Sequence, residues 1–268
     1  MAQPFVVPET DSWHEGDLHV ALALPQWSQG PVPAVLLLDG QTMFLSAVEF
    51  ARTVNLVTLG ALPAMAVIGV WRDAATPPDY FATRFRDFTP YEWVLPGPFA
   101  DDNAMATYGT GGAAQFLDLL VDRVLPAVRS RAEITDVAIG GWSLSGLFAT
   151  WAWRERPDAF RHLLAISPSY WWHHGRIVDE GIPERDGARA FISAGEHEEG
   201  DVSHVWPQVF ANAPQREMAA MVRYASAYAQ RCSGAGVDTE LVVFPDEHHV
   251  TVMPASLSRG LRHLFATR

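Results

Sequence analysis

Asp136–Gly146 reads DVAIGGWSLSG. Its first part, Asp136–Trp142, carries a short apolar run and reads as a strand. Leu144–Arg156 reads as a helix that Pro157 stops. Ser143 is therefore the whole turn between a strand and a helix. A serine in so tight a turn has strained backbone and needs small neighbours. Its hydroxyl then projects from the sheet edge at the positive end of the helix. Gly140-Gly141-Trp142-Ser143-Leu144-Ser145-Gly146 approximates the G-x-S-x-G elbow of a nucleophilic serine. It departs at one position, where Ser145 stands for the second glycine and Gly146 comes one residue later. The plainer alternative is a strand-turn-helix with a capping serine.

Outward from this turn, strands and helices alternate. Leu18–Leu24 is a strand ended by Pro25. Val32–Asp39 (VPAVLLLD) and Met65–Trp71 (MAVIGVW) are nearly continuous apolar runs, the mark of strands buried on both faces. His162–Ser167, Ala190–Ala194 and Leu241–Phe244 are further short strands. Helices are expected at Leu45–Leu59, at Ala113–Arg131 through Phe116, Leu119, Leu120, Val124 and Val128, and at Pro254–Ala266. Another is expected at Gln215–Cys232, with Met218, Met221, Val222, Ala225 and Tyr228 on one side and Gly234 as its C-cap. Arg72–Gly112 has no steady period and holds Pro77, Pro78, Pro90, Pro96 and Pro98, so it is expected to be irregular and functional. Such alternation implies a mostly parallel sheet with right-handed crossovers.

The chain has 268 residues, 49% of them hydrophobic and 19% charged, enough for one large domain over 1–268 with a packed core. This composition excludes a disordered chain and a coiled coil. Nineteen basic against 31 acidic residues give a net charge of −12, which argues against a nucleic-acid partner. Cys232 is the single cysteine, so no intrachain disulfide forms. Met1–Trp13 lacks a basic stretch followed by an apolar run, so no signal peptide is expected. No apolar stretch reaches the roughly 18–20 residues of a membrane span. A cytoplasmic protein is expected, with no membrane partner; the oligomeric state is not encoded in any pattern found.

In sheets of this kind, ligands bind beyond the carboxyl ends of the strands. A serine nucleophile needs a base, and the base needs an orienting carboxylate, in the chain order serine, acid, histidine. Ala190–Ala194 runs into Gly195-Glu196-His197-Glu198-Glu199, and Leu241–Phe244 into Pro245-Asp246-Glu247-His248-His249. Acids and histidines separately are common in surface loops. Three suitable residue types at three strand ends, in the right order, are not. The residues alone leave Glu196 or Glu198 as the acid and His248 or His249 as the base. The oxyanion hole is expected from the amide of Leu144 and from one in Asp39-Gly40-Gln41.

The segments Leu38-Asp39-Gly40-Gln41-Thr42-Met43-Phe44, Gly141–Leu147 (GWSLSGL), Ile166–Trp172 (ISPSYWW) and His249–Pro254 (HVTVMP) resemble those of the putative-esterase family of α/β-hydrolases. That family includes the enterobactin-type siderophore esterases, S-formylglutathione hydrolase, feruloyl esterase domains and mycolyltransferases. The likeness runs from about Leu18 to the C-terminus. Arg84-Phe85-Arg86-Asp87-Phe88-Thr89-Pro90 is similar to the R-x-x-D-L-T-P stretch of the siderophore-esterase branch. The resemblance implies an α/β-hydrolase fold with a mostly parallel sheet of about eight strands and helices on both faces. It implies a serine carboxylic-ester hydrolase working through an acyl-enzyme, without cofactor or metal, on a small-molecule ester of siderophore, aryl or short-chain type. It selects Glu198 as the acid, because the family acid lies three residues after the glycine ending its strand. It selects His249 as the base, because the family histidine precedes a short x-[ST]-V segment, and it points to Gln41 for the second oxyanion amide. Glu196, Glu199 and Asp201 are then a solvated rim, and His248 a loop residue or pocket wall. Acyl transfer by the same site, or a silent scaffold that kept the fold, are the alternatives.

On the substrate side, Arg84 and Arg86 are candidates to receive an anionic group at the pocket mouth, against the commoner structural role of pairing with Asp87 or a nearby acid. Trp71, Tyr170 and Trp171 are candidate pocket walls by their positions near strand ends, against the commoner role of aromatics as core, and the loops 72–112 and 168–188 are expected to shape the pocket. His173-His174, His197, His204 and His248-His249 lack the short fixed spacing of a metal-ligand motif. An imidazole base has a reference pKa of about 6.5, so activity is expected to rise with pH through that region.

Overall fold

The computed structural model describes residues 7, 9–26, 30–58, 62–93, 109–200 and 220–266. Strands that are apolar on both sides are stable only where helices cover both faces of a sheet, and the apolar runs go to its centre. Eight strands form it: β1 (Thr10–Glu15), β2 (Leu18–Ala23), β3 (Val32–Leu38), β4 (Ala66–Arg72), β5 (Ile134–Trp142), β6 (His162–Ile166), β7 (Arg189–Gly195) and β8 (Asp238–Phe244). Their order is β1-β2-β4-β3-β5-β6-β7-β8. β1 and β2 are antiparallel to their neighbours, and the pairings from β4 to β8 are parallel.

The period of two along each strand feeds two separate cores. Leu36 and Leu38 of β3 face a cluster built with α2 (Pro77–Phe88), α3 (Ala113–Leu119), α4 (Leu125–Arg129), α5 (Leu144–Glu155) and α7 (Met221–Gly234). Val35 and Leu37 face the opposite cluster, built with α1 (Gly40–Val57) and α8 (Val252–Phe265). A π-helical turn, Leu120–Val124, joins α3 to α4. Trp153, Trp172, Tyr170 and Phe148 are among the largest fully buried side chains, and each such burial contributes about 1.5–3 kcal/mol. Among the described residues, no helix is long and apolar enough to cross a membrane.

The structure corrects several expectations. Arg72–Gly112 is not irregular throughout, because Pro77–Phe88 forms α2. Thr76 caps it, accepting the Asp79 amide hydrogen at 3.4 Å. Pro77 and Pro78 lie at the start of that helix, where their missing N–H groups cost nothing; they are start signals rather than breakers. The later part of this stretch, with Pro96 and Pro98, lies outside the described residues. The loop 168–188 contains α6 (Trp172–Asp179), kinked where His173, His174 and Gly175 adopt left-handed φ of 50°, 59° and 81°. β1 has half-exposed alternation that lacks the apolar run of a buried strand, and it was not anticipated. The left-handed glycine after α7 is Gly236 rather than Gly234. Met218 and the start expected for that helix at Gln215 are outside the described residues.

Candidate active site

Ser143 joins β5 to α5 with φ 62° and ψ −123°, a conformation that costs a non-glycine residue about 1–3 kcal/mol. The surroundings hold it there. The Ser143 amide donates to the Ile166 carbonyl at 3.0 Å, and the Ser143 carbonyl accepts from the amides of Leu147 and Ser169, each at 3.0 Å. A side chain at Gly141 would collide with the Ser145 backbone, so the turn can close this tightly only over glycine. Ser143 Oγ lies 3.3 Å from Ser169 Oγ, at the carboxyl end of β6.

Glu198 ends a short 3₁₀ turn after β7 and is only 3% exposed. Its Oε1 accepts from Gly195 N at 2.6 Å and from Ser167 Oγ at 2.7 Å. Its Oε2 lies 2.6 Å from His249 Nδ1. Burial by itself would raise the pKa of this carboxyl. The hydrogen bonds from His249, Ser167 and Gly195, with the attraction of the imidazole, outweigh burial and hold it below the ordinary carboxylate range. The acid and base loops also bind one another, through His197 N to Glu247 O at 3.0 Å and Asp246 N to Glu196 Oε2 at 3.0 Å. Trp142, next to Ser143 in the chain, donates its indole N–H to the His249 carbonyl at 2.7 Å, and its ring lies 4.8 Å from the imidazole. Through Trp142 and Glu198, His249 thus links the β5–α5 turn and the loop after β7 at the carboxyl end of the sheet. His248 makes local loop contacts with Thr251 and Val250.

Leu144 is the first residue of α5 and Gln41 the second of α1. Amides in the first turn of a helix have no acceptor within it, which suits both to receive an anion. α1 starts earlier than the expected Leu45, because Asp39 takes a left-handed conformation (φ 52°, ψ 42°) and turns the chain straight into the helix.

Asp39 also ties the two amide-bearing turns together. It is 2% exposed, and Arg84, 6% exposed, grips it with Nε 2.9 Å from Oδ1 and Nη2 2.8 Å from Oδ2. Ser145 Oγ donates to Asp39 Oδ2 at 2.6 Å and accepts the Trp142 amide hydrogen at 2.9 Å. The elbow's departure from glycine at Ser145 is therefore a bridge to the neighbouring turn. Arg84 lines a small cavity with Gln41, Trp71 and Tyr80, and its charge is taken up there by the buried Asp39, which favours the structural role over substrate contact. Arg84→Met is expected to destabilise the fold by about 3–5 kcal/mol, since it strands a buried carboxylate. Adding Asp39→Asn should recover much of that loss. Urea denaturation of the single and double variants measures both; a neutral Arg84→Met would refute the buried pair as a structural element.

Arg86 pairs with Asp87, Nε to Oδ1 at 2.6 Å, as does Arg72 at 2.5 Å. Tyr170 is fully buried with its hydroxyl 2.7 Å from Thr150 Oγ1, and Trp171 is buried as well, so both are core rather than pocket wall. Trp71 remains half-buried and lines a small cavity with Gln41, Tyr80 and Phe116. His204 and Asp201 are outside the described residues. The sequence reading missed Ser167, Ser169 and the partners of Asp39. The two serines follow a strand end, so the rule that located Glu198 could have found them. The Asp39 pairings are long-range and leave no local signal.

A strand-serine-helix turn, a buried carboxylate on a histidine and a mostly parallel eight-stranded sheet define an α/β-hydrolase. The chain belongs to the esterase family described as "Putative esterase", whose model matches residues 12–263, and it is an esterase. It is 28% identical over 265 residues to the siderophore triacetylfusarinine C esterase of Aspergillus fumigatus, covering 90% of this chain and 84% of that protein. It is 26% identical over 257 residues to the ferri-bacillibactin esterase BesA of Bacillus subtilis, covering 91% and 83%. The solved siderophore hydrolase EstB from Aspergillus nidulans superposes with a TM-score of 0.78 at 22% identity, over 99% of this chain and 98% of that one.

Proposed function

We propose that Ser143, His249 and Glu198 are a catalytic triad that hydrolyses the ester bonds of a siderophore-type small molecule through an acyl-enzyme. The observation that carries this reading is the 2.6 Å contact of buried Glu198 with His249 Nδ1 beside the strained Ser143 turn. An ionised Glu198 makes Nδ1 the protonated nitrogen and leaves the lone pair on Nε2. Ser143 Oγ attacks the ester carbon while His249 Nε2 takes its proton, and the carbonyl oxygen becomes an oxyanion. The amides of Leu144 and Gln41 receive that charge, each worth about 3 kcal/mol. The C–O bond breaks, and the alkoxide leaves with the proton from His249. Water then gives a proton to His249 and attacks the acyl-enzyme, releasing the acid and restoring Ser143. This chemistry needs no cofactor.

The siderophore substrate is supported by the names of the relatives, which act on triacetylfusarinine C and ferri-bacillibactin. The test is fluorophosphonate labelling followed by a hydrolysis panel of those two compounds, enterobactin and a simple nitrophenyl ester. Labelling at Ser143 with faster turnover of the siderophores supports the proposal. Absence of labelling would overturn the triad. Labelling with turnover of the nitrophenyl ester alone would overturn the substrate class.

A further inference from the structure

We propose that His14, His19 and Asp73 form a binding site for a divalent transition-metal ion, with Zn²⁺ the best fit. Strand pairing builds this site, and no spacing in the sequence announces it. His14 and His19 are direct cross-strand partners on β1 and β2, and His19 is the partner of Trp71 on β4. Directly opposed residues of antiparallel strands lie on the same face. Asp73 follows the end of β4, so the chain brings all three ligands to one corner of the sheet.

The distances are those of a coordination shell. His14 Nε2 is 3.3 Å and His19 Nδ1 3.7 Å from the same oxygen, Asp73 Oδ2. The three ligand atoms all lie within 4.8 Å of one another. Ligands held at about 2.0–2.2 Å in a tetrahedron are separated by roughly 3.3–3.6 Å. Two edges are already close to that length. The remaining adjustment falls to side chains free to make it, since His14 and Asp73 are 53% and 66% exposed. That exposure also leaves room for water to complete the shell.

The ligands are oriented from behind. Trp71 donates its indole N–H to the other carboxylate oxygen, Asp73 Oδ1, at 3.1 Å. The same indole stacks on the His19 ring, 4.1 Å between centroids at 14°. Such outer partners fix ring and carboxylate orientation in metal sites. Two imidazoles and one carboxylate favour Zn²⁺, Ni²⁺ or Cu²⁺ over Mg²⁺ or Ca²⁺, which prefer all-oxygen shells. Arg72, next to Asp73 in the sequence, is held by Asp17 and Asp87.

The site touches the esterase machinery through Trp71. A side chain at Gly40 would come within 2.7 Å of the Trp71 ring, so the indole lies directly against the turn that carries Gln41. An ion that fixes His19 and Asp73 therefore also fixes the wall behind that turn. Binding itself does not depend on the proposed triad.

Isothermal titration of the full chain with Zn²⁺ tests the inference. One equivalent should bind with micromolar affinity, and binding should weaken as pH falls from 7.5 to 5.5, because both imidazoles must lose their protons. His14→Ala, His19→Asn and Asp73→Asn should each weaken it at least 10-fold. His14→Ala is the variant least able to disturb folding, and an unchanged melting temperature without Zn²⁺ verifies that. Co²⁺ in place of Zn²⁺ should give the intense visible bands of a tetrahedral site, lost in the same variants. No binding by the parent chain, or binding unchanged in His14→Ala and Asp73→Asn, would overturn the proposal.

Discussion

Ser143→Ala is expected to lower kcat by roughly 10⁶-fold, the size of effect seen when the nucleophile of a serine triad is removed. Labelling by a fluorophosphonate should disappear with it. The fold should survive, because among the described residues the Ser143 hydroxyl makes one long hydrogen bond, 3.3 Å to Ser169 Oγ, while its backbone bonds to Ile166, Leu147 and Ser169 are untouched. Alanine occupies φ 62° no more comfortably than serine, so strain is neither relieved nor added. Ser145→Ala is the control two residues away. It removes a bridge between Asp39 and Trp142 but no reacting atom, and should keep most of the activity. Single-turnover kinetics with a chromogenic ester separate the two. Exchanged outcomes would move the nucleophile to Ser145.

Glu198→Gln is expected to cost about 10⁴-fold in kcat, as the equivalent change does in other serine triads. The amide oxygen can still accept from Gly195 N and Ser167 Oγ, which bind Oε1 in the parent chain. The amide nitrogen then faces His249 Nδ1 and can only donate. It forces Nδ1 to accept and places the ring proton on Nε2, the nitrogen that must receive the proton of Ser143. Glu196→Gln should cost far less, since among the described residues Glu196 accepts from the Asp246 amide, and glutamine can do the same. The pH dependence of stability adds an independent reading. The folded-state pKa of Glu198 is depressed, so its ionised form stabilises the fold above the unfolded value of about 4.3. That contribution is lost as pH falls through the lower folded value. Denaturation curves between pH 5 and 2 should therefore converge for parent and Glu198→Gln at the acid end. A full rate in Glu198→Gln would remove it from the triad.

The sequence by itself determined the layered architecture. Val32–Asp39 and Met65–Trp71 are nearly continuous apolar runs, and a chain cannot leave such runs anywhere but inside a covered sheet. It also determined where chemistry could sit, because Ser143, Glu198 and His249 all lie within five residues of a strand end and parallel strands align their carboxyl ends. Choosing Glu198 over Glu196 took family resemblance, since both follow Gly195 within one short turn. Tertiary structure alone decided the partners. Arg84 and Asp39 are 45 positions apart, and their pairing is set by how α2 packs over the turn from β3 into α1. Tyr170 and Trp171 follow β6 like pocket residues, yet the kinked α6 folds them into the core. His14, His19 and Asp73 converge only because β2 pairs with β1 on one side and β4 on the other. Local pattern fixes which face a side chain takes, because that depends on a period of two or 3.6 residues. It does not fix which distant charge meets it, because that depends on the register and packing of elements that are remote in sequence.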